Sequence, residues 1–223
     1  MNSLHEIDWE KDCLWRGCIL AAIAHAIRIA HDPDASNEHS WDGLNYSVQD
    51  TAGSRGTVTF TEDIFVAAFR DDASQSLRIE AFKNHQIFLS EAPEKIVKLA
   101  EKEAFEYLLD DIDGQIKPSI TTAFWGTQMT TCLMDSKKDL LKNGAALLKY
   151  QLKHADESVA LWRDYYNMSR EQTELLMSIY DRKIANPSSK ITLTKNEIKQ
   201  IGSRSKEGLK ESRSSFKEIG IKL

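Results

Sequence analysis

The run Ile64–Phe69 (IFVAAF) sets the strongest limit on the fold, because it is apolar at six consecutive positions. A stretch this short and apolar on both faces reads as a central strand. Its neighbours agree. Leu44, Tyr46 and Val48 alternate with Asn45, Ser47 and Gln49, and Thr57–Phe60 alternates again, as half-buried strands do. Leu77–Phe82 and Gln86–Leu89 read as further strands, completing an antiparallel meander of about four strands over residues 44–89. Tyr46, Val48, Val58, Phe60, Ile64, Val66 and Phe69 are expected to be largely buried.

Helical periodicity flanks this region. Residues 9–30 carry Leu14, Cys18, Ala22, Ile23 and Ile27 on more than one side of a helix, which predicts a buried one that stops at Asp32-Pro33. After Ser90 the pattern reads as helical throughout. One helix is expected from Ser90 to about Ile112, stopped by Gly114. Another is capped by Ser119 and runs through Phe124, Met129 and Leu133. A third starts at Ser136 and runs to Leu152, weakened by Asn143-Gly144. Ser169 with Gln172 and Thr194 with Glu197 fit the capping box. The predicted class is therefore α+β: an N-terminal helix, an antiparallel sheet and a helical C-terminal half. Residues 1–186 are expected to form one domain. Asn186-Pro187-Ser188-Ser189 marks a linker to a basic helical segment, 187–223, docked on that body.

Charge is unevenly distributed. Residues 181–223 hold eleven Lys or Arg and five Asp or Glu, a net of +6, which leaves −11 for residues 1–180 out of a total of −5. Lys199, Arg204, Lys206, Lys210 and Arg213 are the candidate contacts for a nucleic acid or an acidic partner. Ile198, Ile201, Leu209, Phe216 and Ile219 form an apolar stripe that would bury against the body.

Glu6, Asp8 and Glu10 near the N-terminus predict no secretory signal. The longest apolar stretch, Ile19–Ile29, is interrupted by His25 and Arg28, so no membrane span is expected. Three cysteines without framework spacing suggest reduced thiols in a cytoplasmic protein.

Recognisable catalytic motifs are absent from the sequence. There is no phosphate-binding loop, dinucleotide fingerprint, CxxC pair or HExxH. Cys13 and Cys18 diverge by roughly 140° around a helix, and His25 and His31 by about 120°, so neither pair shares a face. No metal site and no cofactor is expected. Asp110–Gly114 (DDIDG) lacks the acidic first and last positions of a calcium loop and reads as a solvated helix end. The best local candidate for ligand binding is Asp50–Gly56 (DTAGSRG). There Gly53 and Gly56 permit backbone amides to converge on an anion, and Ser54 and Arg55 add donors beside Asp50. Three functional readings follow: a non-enzymatic interaction protein, as a subunit or inhibitor in a larger complex; an enzyme or anionic-ligand-binding protein using residues 50–56; and a nucleic-acid-associated protein using the basic C-terminal segment.

Overall fold

The computed structural model describes residues 4–78, 85–112 and 114–223. In chain order the elements are β1 (His5–Ile7), α1 (Lys11–Ile29), β2 (His39–Asp42), β3 (Asn45–Gln49), β4 (Ser54–Phe60), β5 (Ile64–Asp71), α2 (Glu94–Lys102), β6 (Leu109–Ile112), β7 (Gln115–Pro118), β8 (Thr122–Thr127), β9 (Thr131–Leu133), α3 (Lys137–Lys142), α4 (Ala155–Tyr165), α5 (Arg170–Ala185), β10 (Ile191–Thr192), α6 (Lys195–Ile201), α7 (Lys206–Glu218) and β11 (Ile221–Lys222). The class is α+β, with an N-terminal helix, an antiparallel sheet and a C-terminal half rich in helix. Among the described residues no helix is long and apolar enough to cross a membrane. The chain divides into two compact units. The first comprises residues 1–12 and 44–149, and the second residues 13–43 and 150–223.

Within the first unit the strands lie in the order β1-β9-β8-β5-β4-β3, every neighbouring pair antiparallel. The doubly apolar β5 is central, paired with β4 on one side (Val58↔Ala67) and β8 on the other (Ala67↔Phe124). Its alternate residues serve two different packings. Phe65 and Phe69 pack on Phe124, ring centroids 5.9 and 6.0 Å apart, and Phe124 meets Trp9 at 5.3 Å. Ile64, Val66 and Ala68 share a cluster with Ile96 and Ala100 of α2 and with Phe105 and Leu108. The seven sheet residues expected to be buried are all buried. Each such side chain contributes about 1.5–3 kcal/mol on burial before entropy is counted.

Several local expectations are corrected. The stretch 119–133 is not a helix but the strands β8 and β9, with Met129 exposed in the turn between them. Thr121, Thr122, Phe124 and Trp125 are β-branched or aromatic, and this local preference outweighs the helix-like spacing of Phe124, Met129 and Leu133. The helix expected from Ser90 begins at Glu94 and ends at Lys102. Instead, β6 and β7 pair antiparallel, Leu109 opposite Pro118, and Gly114 (φ +79°) takes the left-handed geometry of a turn residue before β7. Gln86–Leu89 lies in a 3-10 turn that buries the adjacent Phe88 and Leu89, and most of the Leu77–Phe82 strand falls outside the described residues. The helix from Ser136 to Leu152 stops at Lys142. Gly144 takes φ +125°, and a Cβ there would lie 2.8 Å from that of Phe69.

The second unit is built on α1, where Gly17–Ile27 is buried without interruption. Both expected capping boxes form, at Ser169/Gln172 on α5 and Thr194/Glu197 on α6. Arg182 of α5 bonds Glu197 of α6 at 2.5 Å. β10 and β11 pair in parallel, Ile191 opposite Ile221. Ile201, Phe216, Ile219 and Ile221 are buried in this unit. α7 approaches α1 closely at Gly208, where any Cβ would lie 2.2 Å from the Ala30 carbonyl oxygen.

Candidate metal centre

The sequence-selected loop is a tight hairpin. Asp50–Gly53 turn between β3 and β4, and Ser54, Arg55 and Gly56 already belong to β4. The amides that could face an anion donate inward: Ala52 N and Ser54 N both reach Asp50 Oδ1, at 2.9 and 3.0 Å. Arg55 lies 3.8 Å from Asp72. Arg70 bonds both Asp72, at 2.6 Å, and Asp110, and its guanidinium holds the Asp110 carboxyl below the usual carboxylate range. Asn45 is buried, accepting from Thr59 Oγ1 at 2.5 Å and donating to Glu103 Oε2 at 3.0 Å. The polar groups around this hairpin thus satisfy one another.

The basic candidates of the C-terminal segment are all exposed. Lys206, Lys210 and Arg213 follow the i, i+4, i+7 spacing and share one face of α7, opposite the buried Ser212 and Phe216. Lys199 lies on α6 and Arg204 in the connection between the two helices. Cys13 is exposed, Cys18 buried and Cys132 half-buried, and none of the three is in a disulfide among the described residues.

The sharpest chemistry in the molecule lies elsewhere, in the second unit. His25 sits in the apolar middle of α1. After the Asp32-Pro33 turn, Glu38 and His39 bring the chain back at the start of β2, whose alternation buries His39 and Trp41 and exposes Ser40 and Asp42. One potential ligand atom from each of His25, Glu38 and His39 lies within 4.8 Å of the others. The two imidazole rings meet edge-on at 5.0 Å. His25 Nε2 stands 3.4 Å from the Ser36 carbonyl oxygen. A carbonyl only accepts, so Nε2 carries the proton and Nδ1 presents its lone pair. That Nδ1 is buried and has no hydrogen-bond partner among the described residues.

An aromatic wall encloses the histidines. Trp162 packs on His39 at 5.4 Å and stacks on Tyr166 at 5.3 Å, and the Trp162 indole N–H is also buried without a partner among the described residues. The Tyr166 hydroxyl donates to Glu38 Oε2 at 3.3 Å. This environment keeps both bases neutral. Burial lowers the pKa of His25 to about 4, and burial together with His25 pushes His39 well below its ordinary value. Burial also raises Glu38, against the opposing Tyr166 hydrogen bond.

Two neutral imidazoles and a carboxylate are the donor set of a borderline divalent transition ion such as zinc. A backbone carbonyl holding the far nitrogen of one histidine and a tyrosine on the carboxylate are the usual outer supports of such ligands. The sequence concealed this arrangement because His25 and His39 belong to different elements, and only spacings within one helix can be tested from sequence. The available signal was His25 itself, a polar ring in an otherwise apolar turn of helix, together with the adjacent Glu38-His39 pair.

Beside the centre, the second unit opens a cleft of about 720 Å³ whose lining includes Arg28, His31, Tyr166, Gln172 and Lys199. His31 Nε2 and Gln172 Nε2 both donate to the Ile201 carbonyl, at 2.7 and 2.8 Å, which fixes that wall. Compared with protein-family models, curated proteins and solved structures, the chain matches none.

Proposed function

We propose that the chain is a metal-binding protein whose second unit holds one divalent transition ion, of the zinc class, between His25, Glu38 and His39. The observation that carries this reading is the buried, unpartnered Nδ1 of His25 beside a second neutral imidazole and a carboxylate. A buried polar atom without a partner costs about 1–3 kcal/mol, and coordination removes that cost. The neutral state of both rings means that little proton release opposes binding at pH 7. Three protein ligands leave a fourth position for a small ligand, which favours an exchangeable or reactive site over a closed structural one.

Titration of metal-free protein with zinc, followed by calorimetry, tests the proposal. One equivalent should bind, and His25→Ala should abolish binding while His31→Ala leaves it intact. At a hundredfold excess over the dissociation constant, the ion should stabilise the fold by about 2.7 kcal/mol. Equal zinc binding by wild type and His25→Ala would refute the assignment.

A second reading rests on α7. Its exposed ridge of Lys206, Lys210 and Arg213 supports contact with a nucleic acid or an acidic protein partner, as in an interaction protein within a larger complex. A salt-sensitive gel shift of DNA or RNA that Lys206→Glu/Lys210→Glu eliminates would support it.

A further inference from the structure

We propose, resting on the reading of α7 above and not on the metal centre, that this helix binds the phosphate backbone of a nucleic-acid duplex without regard to sequence. The proposal starts from how α7 sorts its charges. At about 100° per residue, Lys206, Lys210, Arg213 and Lys217 fall within one arc of roughly 60°. All four are exposed, and the buried Gly208, Ser212, Ser215 and Phe216 occupy the other side of the helix. Glu207, Glu211 and Glu218 lie on a separate arc, about 60° or more from the cations. From Lys206 to Lys217 the basic ridge rises about 16 Å. At about 3.4 Å of axis per phosphate, that length faces roughly five phosphates of one strand of a duplex.

A solvated helix face usually sets acids against bases at these spacings, which supports the helix. Here Lys206 with Lys210, and Arg213 with Lys217, are like-charged neighbours four residues apart, and each pair works against it. Lys206, Arg213 and Lys217 make no ion pair among the described residues, and Lys210 meets Glu211 only at 3.9 Å. Glu218 is turned elsewhere, accepting from the Trp41 amide at 2.9 Å. The ridge therefore lacks an internal counter-charge, which a polyanion supplies. The rest of the exposed face selects the kind of polyanion. Besides the four cations it holds only Glu207, Ser214 and Glu218. A protein interface is built around apolar and aromatic side chains, and a single strand stacks its bases on aromatic rings. The exposed face of α7 has neither, since Phe216 is buried. A row of duplex phosphates needs only the cations, and contacts to phosphate carry no sequence information.

The test is fluorescence anisotropy of the full chain with labelled DNA and RNA duplexes of mixed sequence, single-stranded DNA and polyglutamate. Binding of either duplex supports the inference, and the tighter of the two identifies the source. Between about 50 and 200 mM salt, the logarithm of duplex affinity should fall against that of salt with a slope of about −3.6, as for four phosphate contacts. Lys210→Ala/Lys217→Ala should roughly halve that slope and weaken binding to every duplex sequence alike. Both positions are exposed, and circular dichroism checks that the variant folds. Lys138→Ala, which removes the same charge from α3, should leave slope and affinity unchanged. A slope unaltered in Lys210→Ala/Lys217→Ala would overturn the proposal, as would tighter binding of the single strand than of the duplexes. Binding of polyglutamate but of neither duplex would also overturn it, while leaving α7 as a surface for an acidic protein. Binding of none of the four would end both readings of α7 together.

Discussion

The Asp50–Gly53 hairpin of the first unit and the histidine centre of the second place polar groups in opposite situations. In the hairpin, donors that could meet a ligand already have internal partners: the Ala52 and Ser54 amides reach Asp50, and Arg70 reaches Asp72 and Asp110. An external anion would have to displace an internal carboxylate. At the centre, His25 Nδ1 and the Trp162 indole nitrogen are buried with no partner among the described residues. Glycine and arginine in a loop mark a place where a ligand could approach. A buried nitrogen without a partner marks a place where the fold is incomplete without one.

The largest expected effect concerns how the second unit completes its core. Removing residues 195–223 deletes Ile201, Phe216, Ile219 and Ile221, all under 5 % exposed. At about 1.5–3 kcal/mol each, they sum to roughly 6–12 kcal/mol, the scale of a whole domain's stability. The truncated chain should lose the protected amides of α1 in hydrogen exchange and should aggregate. A monodisperse truncation with an unchanged melting temperature would show that the C-terminal helices are accessory.

Next in size is acid sensitivity. Buried His25 takes up its proton only near pH 4 in the fold, against an ordinary value of 6.5. Between those values the unfolded chain binds more protons, so stability is full above pH 6.5 and declines as pH falls towards 4. This one group contributes a slope of up to about 1.4 kcal/mol per pH unit. Urea denaturation of metal-free wild type and His25→Leu, compared at pH 7 and pH 5, measures this. The wild type should lose more stability than the variant. Parallel losses would mean that His25 is not the acid-sensitive group.

A smaller pair of substitutions addresses the contrast directly. Asn45→Ala in the first unit strands Thr59 and Glu103 and should cost about 1–3 kcal/mol. His25→Leu in metal-free protein removes the unpartnered Nδ1 together with the long 3.4 Å contact of Nε2 to the Ser36 carbonyl, and should be near neutral, while abolishing zinc binding. Such a residue would be kept for a ligand and not for stability. If His25→Leu destabilises as much as Asn45→Ala, the two regions are alike and the comparison fails.

What could be read in advance follows the range of the interactions involved. Period-two alternation identified the buried residues from Tyr46 to Phe69, and the two capping boxes are contained within four residues each, so both were visible in the chain. Phe124, Met129 and Leu133 misled because their spacing suits a helix, whereas pairing with β5 decides the outcome. The distant Asp110 partner of Arg70 and the meeting of His25 with His39 depend on chain reversals that no local pattern encodes. The inward-facing amides at Asp50 are a subtler case. The residues suit an anion-binding turn equally well, and only the rotamer of one aspartate settles where the donors point.

Arg55 should give the smallest effect. Its guanidinium is 3.8 Å from the Asp72 carboxylate, and both side chains keep about a third or more of their surface in water. Exposed pairs of this kind contribute about 0–1 kcal/mol, and Asp72 retains its shorter bond to Arg70 at 2.6 Å when Arg55 is removed. Arg55→Ala should therefore shift stability by no more than about 0.5 kcal/mol in chemical denaturation. With the Ala52 and Ser54 amides committed to Asp50, the substitution should also leave phosphate binding by the whole protein unchanged. A loss of stability well above that figure would mean that Arg55, Asp72, Arg70 and Asp110 act as one cooperative network. Loss of phosphate affinity would mean that Asp50 yields to an external anion. The hairpin would then be a second ligand site, and satisfied donors would no longer distinguish it from the histidine centre.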